Sequence, residues 1–476
     1  MNIEIRENYC RVLGRKDELD WVADLLTIDI PEAKYTRIYR QGRWDGRKRY
    51  FNKVSRTFAI GFLSKVLQAG YSKHITVDDM RKFPDIELSA PELKTIELRD
   101  YQKEAVIECL KQKTGLIEAA TNSGKTAIFA GVVKKLYPLK TLILIHRDEI
   151  FWQIIEMVEK YTGIKVGIIK AQEINIKPVT VAMITTIVNR IGVVDEVTDF
   201  FDDVQCIIID EVHRAGSATY ESLLSACKAP FRFGFSGTIK PYDTPAGMQT
   251  RQWLGDVILK ISNSEMIEQG VSAVPKVHIY ELDSKRQLDG VFNIAKEQLT
   301  VEQDDYTNGE LMKRVYKLSM QMGITENTER NEKAIEIAKK HLGQSLLIIV
   351  DLIQHGQIVE KLLNEAGINA VFISGQSVVR KSALDLFKKS ELKVLISTTI
   401  LDEGIDVAVI QVLLFLAGKK SKRQLLQRVG RGLRKKAGEN EVHIYDFLDF
   451  GSRYLVRHSK ERISIYKAEG FEIDFI

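Results

Sequence analysis

Short aliphatic runs alternate with longer amphipathic stretches along most of the chain after residue 115. The runs are bounded by Gly, Ser, Thr or Asp, a pattern typical of buried parallel strands connected by helices. The first set of runs is GLIEAA, TLILIH, VTVAMIT, QCIIIDE and FRFGFSG, and the second set is SLLIIVD, NAVFISG, KVLISTT, VIQVLLFL and EVHIYDF. Two such sets predict an α/β fold with two doubly wound domains in tandem.

The first part of the chain lacks this rhythm and predicts a separate small α+β module. It ends at a linker flanked by Pro84 and Pro91, and 476 residues leave room for roughly three domains. Residues 283–328 are polar and charge-rich, and we expect a helical insertion there. The predicted domains are 1–90 for the module, 91–268 for the first α/β domain, and 269–476 for the second, which includes the insertion and a C-terminal extension.

Composition narrows the class of protein. With 45% hydrophobic and 28% charged residues, the chain is typical of a soluble globular protein rather than a disordered or fibrous one. No apolar run approaches the roughly 18 residues that span a bilayer, and the start MNIEIRENYC lacks the apolar core of a signal peptide. The four cysteines form no CxxC pair and have no His at ligand spacing. We therefore expect a cytoplasmic protein (host cytoplasm if viral) without membrane contact or a metal cluster.

Positive charge is concentrated near the N-terminus. Between Lys34 and Lys73, eleven Lys and Arg residues stand against one acid, Asp45, whereas the net charge of the whole chain is only +5. Such a segment attracts phosphate backbones.

Within this segment, RQGRWDGRKRYF contains Asp45-Gly46, a two-residue hairpin turn signal. The predicted hairpin pairs Trp44 with Arg47 and is basic on both faces. We expect it to contact nucleic acid through Arg40, Arg43, Arg47, Lys48 and Arg49. The alternative is a solvated hairpin that Trp44 anchors to its own domain.

A phosphate-binding loop is predicted directly after the run GLIEAA. Residues 119–126, AATNSGKT, match the pattern GxxxxGK[ST] except that Ala119 replaces the first Gly. In such a loop the backbone N–H groups point at phosphate oxygens, Lys125 reaches the β and γ phosphates, and Thr126 supplies a hydroxyl to Mg²⁺. An ordinary helix start is the alternative, and the strand before and amphipathic helix after the loop argue against it.

Two carboxylates follow the aliphatic run CIIID. Asp210 is suited to hold Mg²⁺, and Glu211 to orient and deprotonate the attacking water. A solvated turn after a core strand is the alternative, and the phosphate-binding loop upstream favours the catalytic interpretation. After the next run, Ser236-Gly237-Thr238 predicts either a phosphate-sensing loop or a plain turn, with no preference between them.

The second α/β set carries two more motifs. The run KVLIS leads into TTILDEGID at residues 398–406, and QRVGRGLR follows at 427–434. Arg428, Arg431 and Arg434 are spaced so that a helix presents them on about one face. They could merely form surface ion pairs. Arg431 and Arg434, delivered across a cleft, would instead stabilise the transition state of ATP hydrolysis.

This ordered set of motifs resembles the superfamily 2 helicases and translocases of the DExH type, over approximately residues 95–466. The matching segments are LRDYQKEAV, ATNSGKT, TLILIHRDEIFWQ, MITT, DEVH, SGT, LLIIVD, STTILDEGIDV and QRVGRGLR. The resemblance implies two RecA-like domains with ATP and Mg²⁺ between them and nucleic acid across both. It implies nucleotide contacts from Gln102, Thr121, Asn122, Ser123, Gly124, Lys125, Thr126, Gly404, Asp406 and Gln427, and nucleic-acid contacts from Thr185 and Thr398.

Departures from the family pattern are small. Ala119 and Asn122 stand where many relatives have Gly, and SGT replaces the commoner SAT. Ala119 and Asn122 leave ATP binding intact. The change from SAT to SGT concerns the coupling of hydrolysis to movement. RNA-remodelling DEAD-box proteins have Asp at the position of His213. With His at this position, the motif DEVH is similar to that of DExH motors.

The segments RQGRWDGRKRY and FAIGFLSKVLQAGY are similar to the N-terminal module of phage UvsW-like helicases. That resemblance implies a motor that acts on branched DNA, including fork regression and Holliday-junction migration. Our hypothesis is therefore a monomeric ATP-dependent DNA helicase or translocase. An RNA helicase and an ATP-switched annealing or binding protein remain the alternatives. A nuclease-coupled motor is disfavoured, because no metal-carboxylate nuclease cluster is evident.

Overall fold

The computed structural model describes residues 1–120, 123–171, 173–212, 218–302, 307–375, 379–398, 409–418 and 441–476. The chain divides into two compact units, Met1–Ile261 and Ser262–Ile476. The first unit contains a small N-terminal module and an α/β domain, and the second unit is another α/β domain. In the described part of the chain, no helix is both long enough and apolar enough to cross a bilayer.

The N-terminal module is built on a five-stranded mixed sheet with the order β5-β6-β2-β1-β7, and β3 and β4 form a separate pair. Alternate residues of β1 and β2 are buried, so one face of the sheet packs against helices. The elements are β1 (Asn2–Ile5), β2 (Tyr9–Leu13), α1 (Lys16–Leu25), β3 (Thr27–Asp29), α2 (Arg37–Arg40), β4 (Arg47–Arg49), β5 (Phe51–Asn52), β6 (Thr57–Ala59), α3 (Leu63–Ala69) and β7 (Thr76–Asp79).

The hairpin predicted around Asp45-Gly46 is wrong in its first strand. The strand β4 pairs antiparallel with β3, and the segment just before the turn contains the short helix α2. A turn does form, because Gly46 has φ +79° and the Arg47 N–H donates to Asp45 Oδ1 at 3.1 Å. β3 has the sequence TID, whose β-branched residues favour a strand, whereas residues 40–44 have none.

The module packs tightly against the first α/β domain. A Cβ built on Gly61 would lie 1.8 Å from the Arg251 carbonyl oxygen, and the Gly61 N–H donates to the Gln252 carbonyl at 3.1 Å. Met248 is buried in the apolar core of the module. The Lys65 ammonium lies 4.2 Å from the centre of the Tyr242 ring. Met248, Tyr242 and Trp253 of the first domain therefore pack into the apolar core of the module.

The first α/β domain has an eight-stranded sheet with the order β11-β10-β12-β9-β13-β14-β8-β15, in which only β10 and β11 pair antiparallel. The five aliphatic runs of the first set are strands, as predicted. The elements are α4 (Asp100–Gln112), β8 (Thr114–Ala119), α5 (Lys125–Leu136), β9 (Thr141–Ile145), α6 (Asp148–Thr162), β10 (Gly167–Lys170), β11 (Glu173–Asn175), β12 (Val179–Met183), α7 (Ile184–Arg190), α8 (Asp195–Asp202), β13 (Cys206–Asp210), α9 (Ala218–Ala226), β14 (Phe231–Ser236), α10 (Pro245–Arg251) and β15 (Val257–Ile261).

The second α/β domain has a parallel seven-stranded sheet with the order β18-β19-β17-β20-β21-β16-β22. The five runs of the second set are strands, and the stretch 283–328 holds two helices and a π-helical turn, Gln321–Thr325. The elements are α11 (Asn263–Glu268), β16 (Val274–Asp283), α12 (Val291–Glu302), α13 (Asn308–Met320), α14 (Thr328–Lys340), β17 (Leu346–Ile349), α15 (Ile353–Glu365), β18 (Ala370–Ile373), α16 (Arg380–Lys388), β19 (Val394–Ser397), β20 (Val412–Phe415), β21 (Glu441–Phe450), α17 (Arg453–Ala468) and β22 (Glu472–Phe475).

Candidate functional site

Neighbouring parallel strands of the first domain carry the residues predicted to bind a nucleotide. Asp210 pairs in register with Phe235 across β13 and β14, and Ser236 pairs with Glu118 across β14 and β8. Because the carboxyl ends of parallel strands meet at the same edge of a sheet, the loops after β8, β13 and β14 lie side by side. We call this edge the nucleotide edge.

The phosphate-binding loop connects β8 to α5. Gly124 has φ +71°, and a Cβ built there would lie 2.6 Å from Nε2 of Gln102, so both conformation and space require glycine. Lys125 is the first residue of α5, and its Nζ lies 3.4 Å from the Ala119 carbonyl oxygen. The hydroxyl of Ser123 is buried and makes no hydrogen bond to any residue that the structure describes. The Lys125 ammonium and the Ser123 hydroxyl therefore lie near the start of α5, where they can bind an anion.

Gln102 braces this loop from α4. Its Nε2 donates to the Ser123 carbonyl at 2.9 Å, and its Oε1 accepts from the Arg99 N–H at 3.0 Å. The Tyr101 hydroxyl donates to the same Ser123 carbonyl at 3.1 Å. A side-chain amide has two donor hydrogens and two acceptor lone pairs, so each end of Gln102 has capacity for one more bond. The predicted contact of Gln102 with the nucleotide base stays a prediction, and its contact with the loop is the observed one.

Two carboxylates lie at the end of β13. Asp210 is 7% exposed, and burial together with the Glu211 carboxylate raises the pKa of Asp210 to about 7. Glu211 has φ +51°, in the left-handed region, and its N–H donates to Asp210 Oδ1 at 2.9 Å. A buried carboxylate beside a like charge is stabilised by a bound cation, because the cation offsets both unfavourable effects.

The residues at this edge fit a magnesium ion. Asp210 offers a carboxylate, and Thr126 offers a hydroxyl from the first turn of α5, where it is half-buried. No group of three or more His, Cys, Asp or Glu side chains in the described ranges is arranged to hold a metal. Mg²⁺ does not need such a cage, since it is usually held by one or two side chains, phosphate oxygens and water.

Arg147 is a charged residue near this site for which the sequence motifs predict no role. It follows β9, whose Leu144 pairs with Ile209 just before Asp210. The charges of Lys125 and Arg147 lower the pKa of Asp210 and so oppose the effect of burial. The segment TLILIHRDEIFWQ places Arg147 just after a strand, but the adjacency of β9 and β13 depends on strand order, which the sequence does not specify.

Ser236-Gly237-Thr238 forms a turn next to the end of β13. The Ser236 hydroxyl donates to the Thr238 carbonyl at 3.1 Å, and the Thr238 N–H lies 3.4 Å from Ser236 Oγ. The following Ile239 N–H donates to Oε1 of Glu118 at 3.2 Å. Glu118 lies on β8, so this turn is tied to the strand that leads into the phosphate-binding loop. A phosphate-sensing role for it stays a prediction.

Several predicted site residues lie outside the described residues. They are Thr121, Asn122, Gly404, Asp406, Gln427, Arg431 and Arg434, together with His213 and Arg428. Thr185, predicted to contact nucleic acid, is exposed at the start of α7. Thr398 follows β19 and is buried, and its hydroxyl makes no hydrogen bond within the described part of the chain. The role of both threonines stays a prediction.

The basic residues of the segment 30–49 fall into two groups. Those on β4 each have an acidic partner: Asp29 for Arg47 (2.9 Å between Oδ1 and Nε), Asp45 for Arg49, and Glu221 for Lys48 (3.8 Å between Oε2 and Nζ). Those between β3 and β4 do not. Arg37, Arg40 and Arg43 are exposed, and within the described residues no carboxylate lies in ion-pair range of them. Within the segment from β3 to β4, these three arginines are therefore open to an external anion.

The fold and the nucleotide edge together define a P-loop nucleoside triphosphatase with two RecA-like domains. The family model of the type III restriction enzyme res subunit matches residues 95–241, and that of the helicase conserved C-terminal domain matches residues 329–436. Together they cover more than half of the chain. The chain belongs to the superfamily 2 helicases and resembles the UvsW-like helicases of phages. It is an ATP-dependent helicase and thus a hydrolase.

Individual relatives agree with this assignment. The DNA 3'-5' translocase XPB2 of Sulfurisphaera tokodaii is 26% identical over 362 residues, which are 72% of this chain and 80% of that protein. The ATP-dependent DNA helicase uvsW of Enterobacteria phage T4 is 24% identical over 496 residues, which are 94% of this chain and 93% of that protein. The helicase domain of Pyrococcus furiosus Hef has a similar fold, with a TM-score of 0.53, 16% identity, and coverage of 76% of this chain and 98% of that one.

Proposed function

We propose that this helicase acts on DNA and remodels branched duplexes, by fork regression, branch migration or unwinding. The observation that carries the proposal is the exposed group of arginines, Arg37, Arg40 and Arg43, on a module packed into the same compact unit as the nucleotide edge. A grip on phosphates in that position moves together with the ATP-binding domain. The names of the translocase and helicase relatives further support DNA as the substrate.

In this proposal the nucleotide edge performs the hydrolysis. Lys125 and the backbone N–H groups of the loop hold the phosphates, Thr126 and Asp210 hold Mg²⁺, and Glu211 orients and deprotonates the attacking water. Bound Mg²⁺ would neutralise charge on the β and γ phosphates. Arg431 and Arg434 would stabilise the transition state from the second domain, an effect worth about 10³ to 10⁵ in rate for arginine fingers.

The arginines of the module would grip the duplex without reading its sequence. Contacts from Arg to phosphate supply affinity and register but no base specificity, as a motor that works on any sequence requires. Branch migration re-forms about one base pair behind for each pair opened ahead. The stacking cost of about 1.4 kcal/mol per step is therefore nearly cancelled.

The experiment that tests this function measures ATPase and strand separation on a matched panel of nucleic acids. The panel holds single strands, linear duplexes, forks, four-way junctions and RNA duplexes of the same length. We expect the ATPase to be stimulated most by forked and four-way DNA, and strand exchange to depend on ATP. Strong stimulation by single-stranded RNA alone would contradict the proposal and favour an RNA helicase.

A further inference from the structure

The segment between β3 and β4, residues 30–46, is a closed surface loop, which we call the basic loop. Its ends are joined by a hydrogen bond from the Ile30 N–H to the Gly46 carbonyl at 2.8 Å. Ala33 and Gly46 are buried at its base. The indole N–H of Trp44 donates to the Arg47 carbonyl at 2.8 Å, and the residue is half-buried. Trp44 thus ties the loop to the first residue of β4.

Other apolar side chains of the basic loop face outward. Tyr35 is 68% exposed, Ile38 is 52% exposed and Tyr39 is 41% exposed. The ring of Tyr39 lies against Gly46, where an added Cβ would come within 2.9 Å of it, so Tyr39 is partly held by the base of the loop. Tyr35 and Ile38 are both more exposed than Tyr39. Single exposed apolar residues are ordinary on protein surfaces, but a group of them within one loop indicates a binding surface.

The charge around these side chains indicates the kind of partner. Residues 30–43 contain Lys34, Arg37, Arg40 and Arg43 and a single acid, Glu32. The Lys34 ammonium lies 5.2 Å from the centre of the Tyr35 ring, so a cation accompanies the most exposed ring. A surface that offers apolar side chains between unpaired cations is complementary to a polyanion that also exposes apolar faces. Nucleic acid with unstacked bases has that combination.

We propose that Tyr35 and Ile38 contact the faces of bases at a DNA branch point, while the neighbouring arginines hold the flanking phosphates. In an intact duplex the base faces are covered by stacking, and only groove edges and the backbone are accessible. At a fork, the base pair next to the branch point has a face that no neighbouring pair covers. An aromatic ring can stack on that face, and an aliphatic side chain can wedge beside it. The basic loop would therefore distinguish branched DNA from linear DNA.

This inference rests on the proposed function, because it assumes that the module binds DNA. It assigns the proposed preference for branches to Tyr35 and Ile38, which no family motif contains. The arginines and these two apolar side chains then have different roles in binding. Loss of the arginines should weaken binding to every DNA. Loss of Tyr35 and Ile38 should weaken binding only where a base face is open.

The test compares the double variant Tyr35→Ala/Ile38→Ala with Tyr71→Ala as a matched control. Tyr71 is 90% exposed in the same module but lies outside the basic loop. Dissociation constants are measured by fluorescence anisotropy for a fork and for a linear duplex of equal length whose ends are closed by hairpin loops, and 2-aminopurine at the branch reports base stacking. We expect the double variant to bind the fork about tenfold more weakly, with the linear duplex affected less than about twofold. The 2-aminopurine signal should change with wild type and Tyr71→Ala only.

Three outcomes would overturn the inference. They are unchanged fork affinity in the double variant, an equal loss on fork and linear duplex, or a change in oligomeric state by sedimentation that marks the surface as a protein contact. Thermal unfolding confirms that each variant is folded, which we expect because the substituted side chains are exposed. If wild type itself shows no DNA-stimulated ATPase, the proposed function fails. If wild type is stimulated but the double variant behaves like wild type, only this inference fails.

Discussion

The nucleotide edge and the basic residues of the N-terminal module differ in how far apart in the sequence the interacting residues lie. At the nucleotide edge, Asp210 and Ser236 end aliphatic strands and Lys125 follows one after a short loop, and the parallel sheet brings these strand ends together. On the module, the availability of each cation depends on acids elsewhere. Arg47 is paired with Asp29, eighteen residues earlier, and Lys48 with Glu221 on helix α9 of the first α/β domain. Local sequence therefore marks the strand ends that meet in the first region, and it overcounts the free charge of the second.

The carboxylate of Asp210 at the nucleotide edge is buried, whereas the arginines of the basic loop are exposed. The pKa of Asp210 is raised to about 7 because its carboxylate is buried beside Glu211, so removal of its charge should have a large effect. Arg40 and Arg43 are exposed and solvated, so each should contribute modestly to DNA binding and be screened by salt. Substitutions at the nucleotide edge should therefore have the largest effects, and substitutions of exposed residues in the module the smallest.

Lys125→Ala should slow ATP hydrolysis strongly and leave DNA binding nearly intact. Removing a preorganised cation from the phosphates should cost about 10² to 10³ in the rate of hydrolysis, because its charge stabilises the transition state. The measurements are steady-state ATPase and DNA anisotropy on the same preparation. Lys111→Ala is the control, since Lys111 lies on the surface of α4 in an ion pair with Glu108 (3.2 Å).

The same variant separates a motor from an ATP-switched binding protein. If strand exchange disappears with hydrolysis, the motor is supported. Full annealing activity in Lys125→Ala would contradict it and would mean that the two regions act independently.

Asp210→Asn should inactivate the enzyme but stabilise the fold at alkaline pH when Mg²⁺ and nucleotide are absent. The folded-state pKa of about 7 exceeds the ordinary value of 3.8, so the folded state binds more protons between those values. By linkage, this group makes the free energy of unfolding fall as pH rises through that window. The substitution removes the penalty, and we expect a gain of about 1–3 kcal/mol at pH 8 and little gain at pH 4.

Thermal unfolding of wild type and Asp210→Asn at pH 8 and at the lowest pH that keeps both folded measures this difference. Asp85→Asn in the exposed linker is the control, and it should shift stability equally at both pH values. An identical stability difference between wild type and Asp210→Asn at the two pH values would show that burial does not destabilise the charged Asp210 carboxylate.

The sequence predicts the strands that are buried on both faces, and it misses elements that are short or only half-buried. Strands such as β9 and β13 are buried on both faces and therefore appear as unbroken aliphatic runs. β16, with the sequence VPKVHIYELD, is buried on alternate residues and includes charged positions, so no aliphatic run marks it. β3 and α2 were missed because both are short, and the turn signal at Asp45-Gly46 does not specify which strand precedes it.

Arg40→Ala/Arg43→Ala and Arg47→Ala/Arg49→Ala should differ in the salt dependence of DNA binding. The slope of log affinity against log salt falls by about 0.9 for each phosphate that the protein no longer neutralises. Because Arg40 and Arg43 have no acidic partner within the described residues, we expect the first variant to reduce the slope by about 1.8, and the second to reduce it clearly less. Anisotropy titrations at a series of salt concentrations measure both slopes. Equal reductions would mean that the ion pairs on β4 open when DNA binds.

Asp29→Asn tests the difference between paired and unpaired arginines by removing the acidic partner of Arg47 and leaving the arginine in place. The side chains of Asp29 and Arg47 are 81% and 56% exposed, so their ion pair contributes little to stability, and the variant should unfold at nearly the wild-type temperature. Its effect should appear in binding, because the freed Arg47 can reach a phosphate and steepen the salt slope by up to about 0.9. Asp17→Asn, which breaks an exposed pair with Arg15 outside the basic segment, should leave the slope unchanged. A wild-type slope in Asp29→Asn would place Arg47 beyond the reach of DNA whether or not it is paired, and would confine the grip to the basic loop.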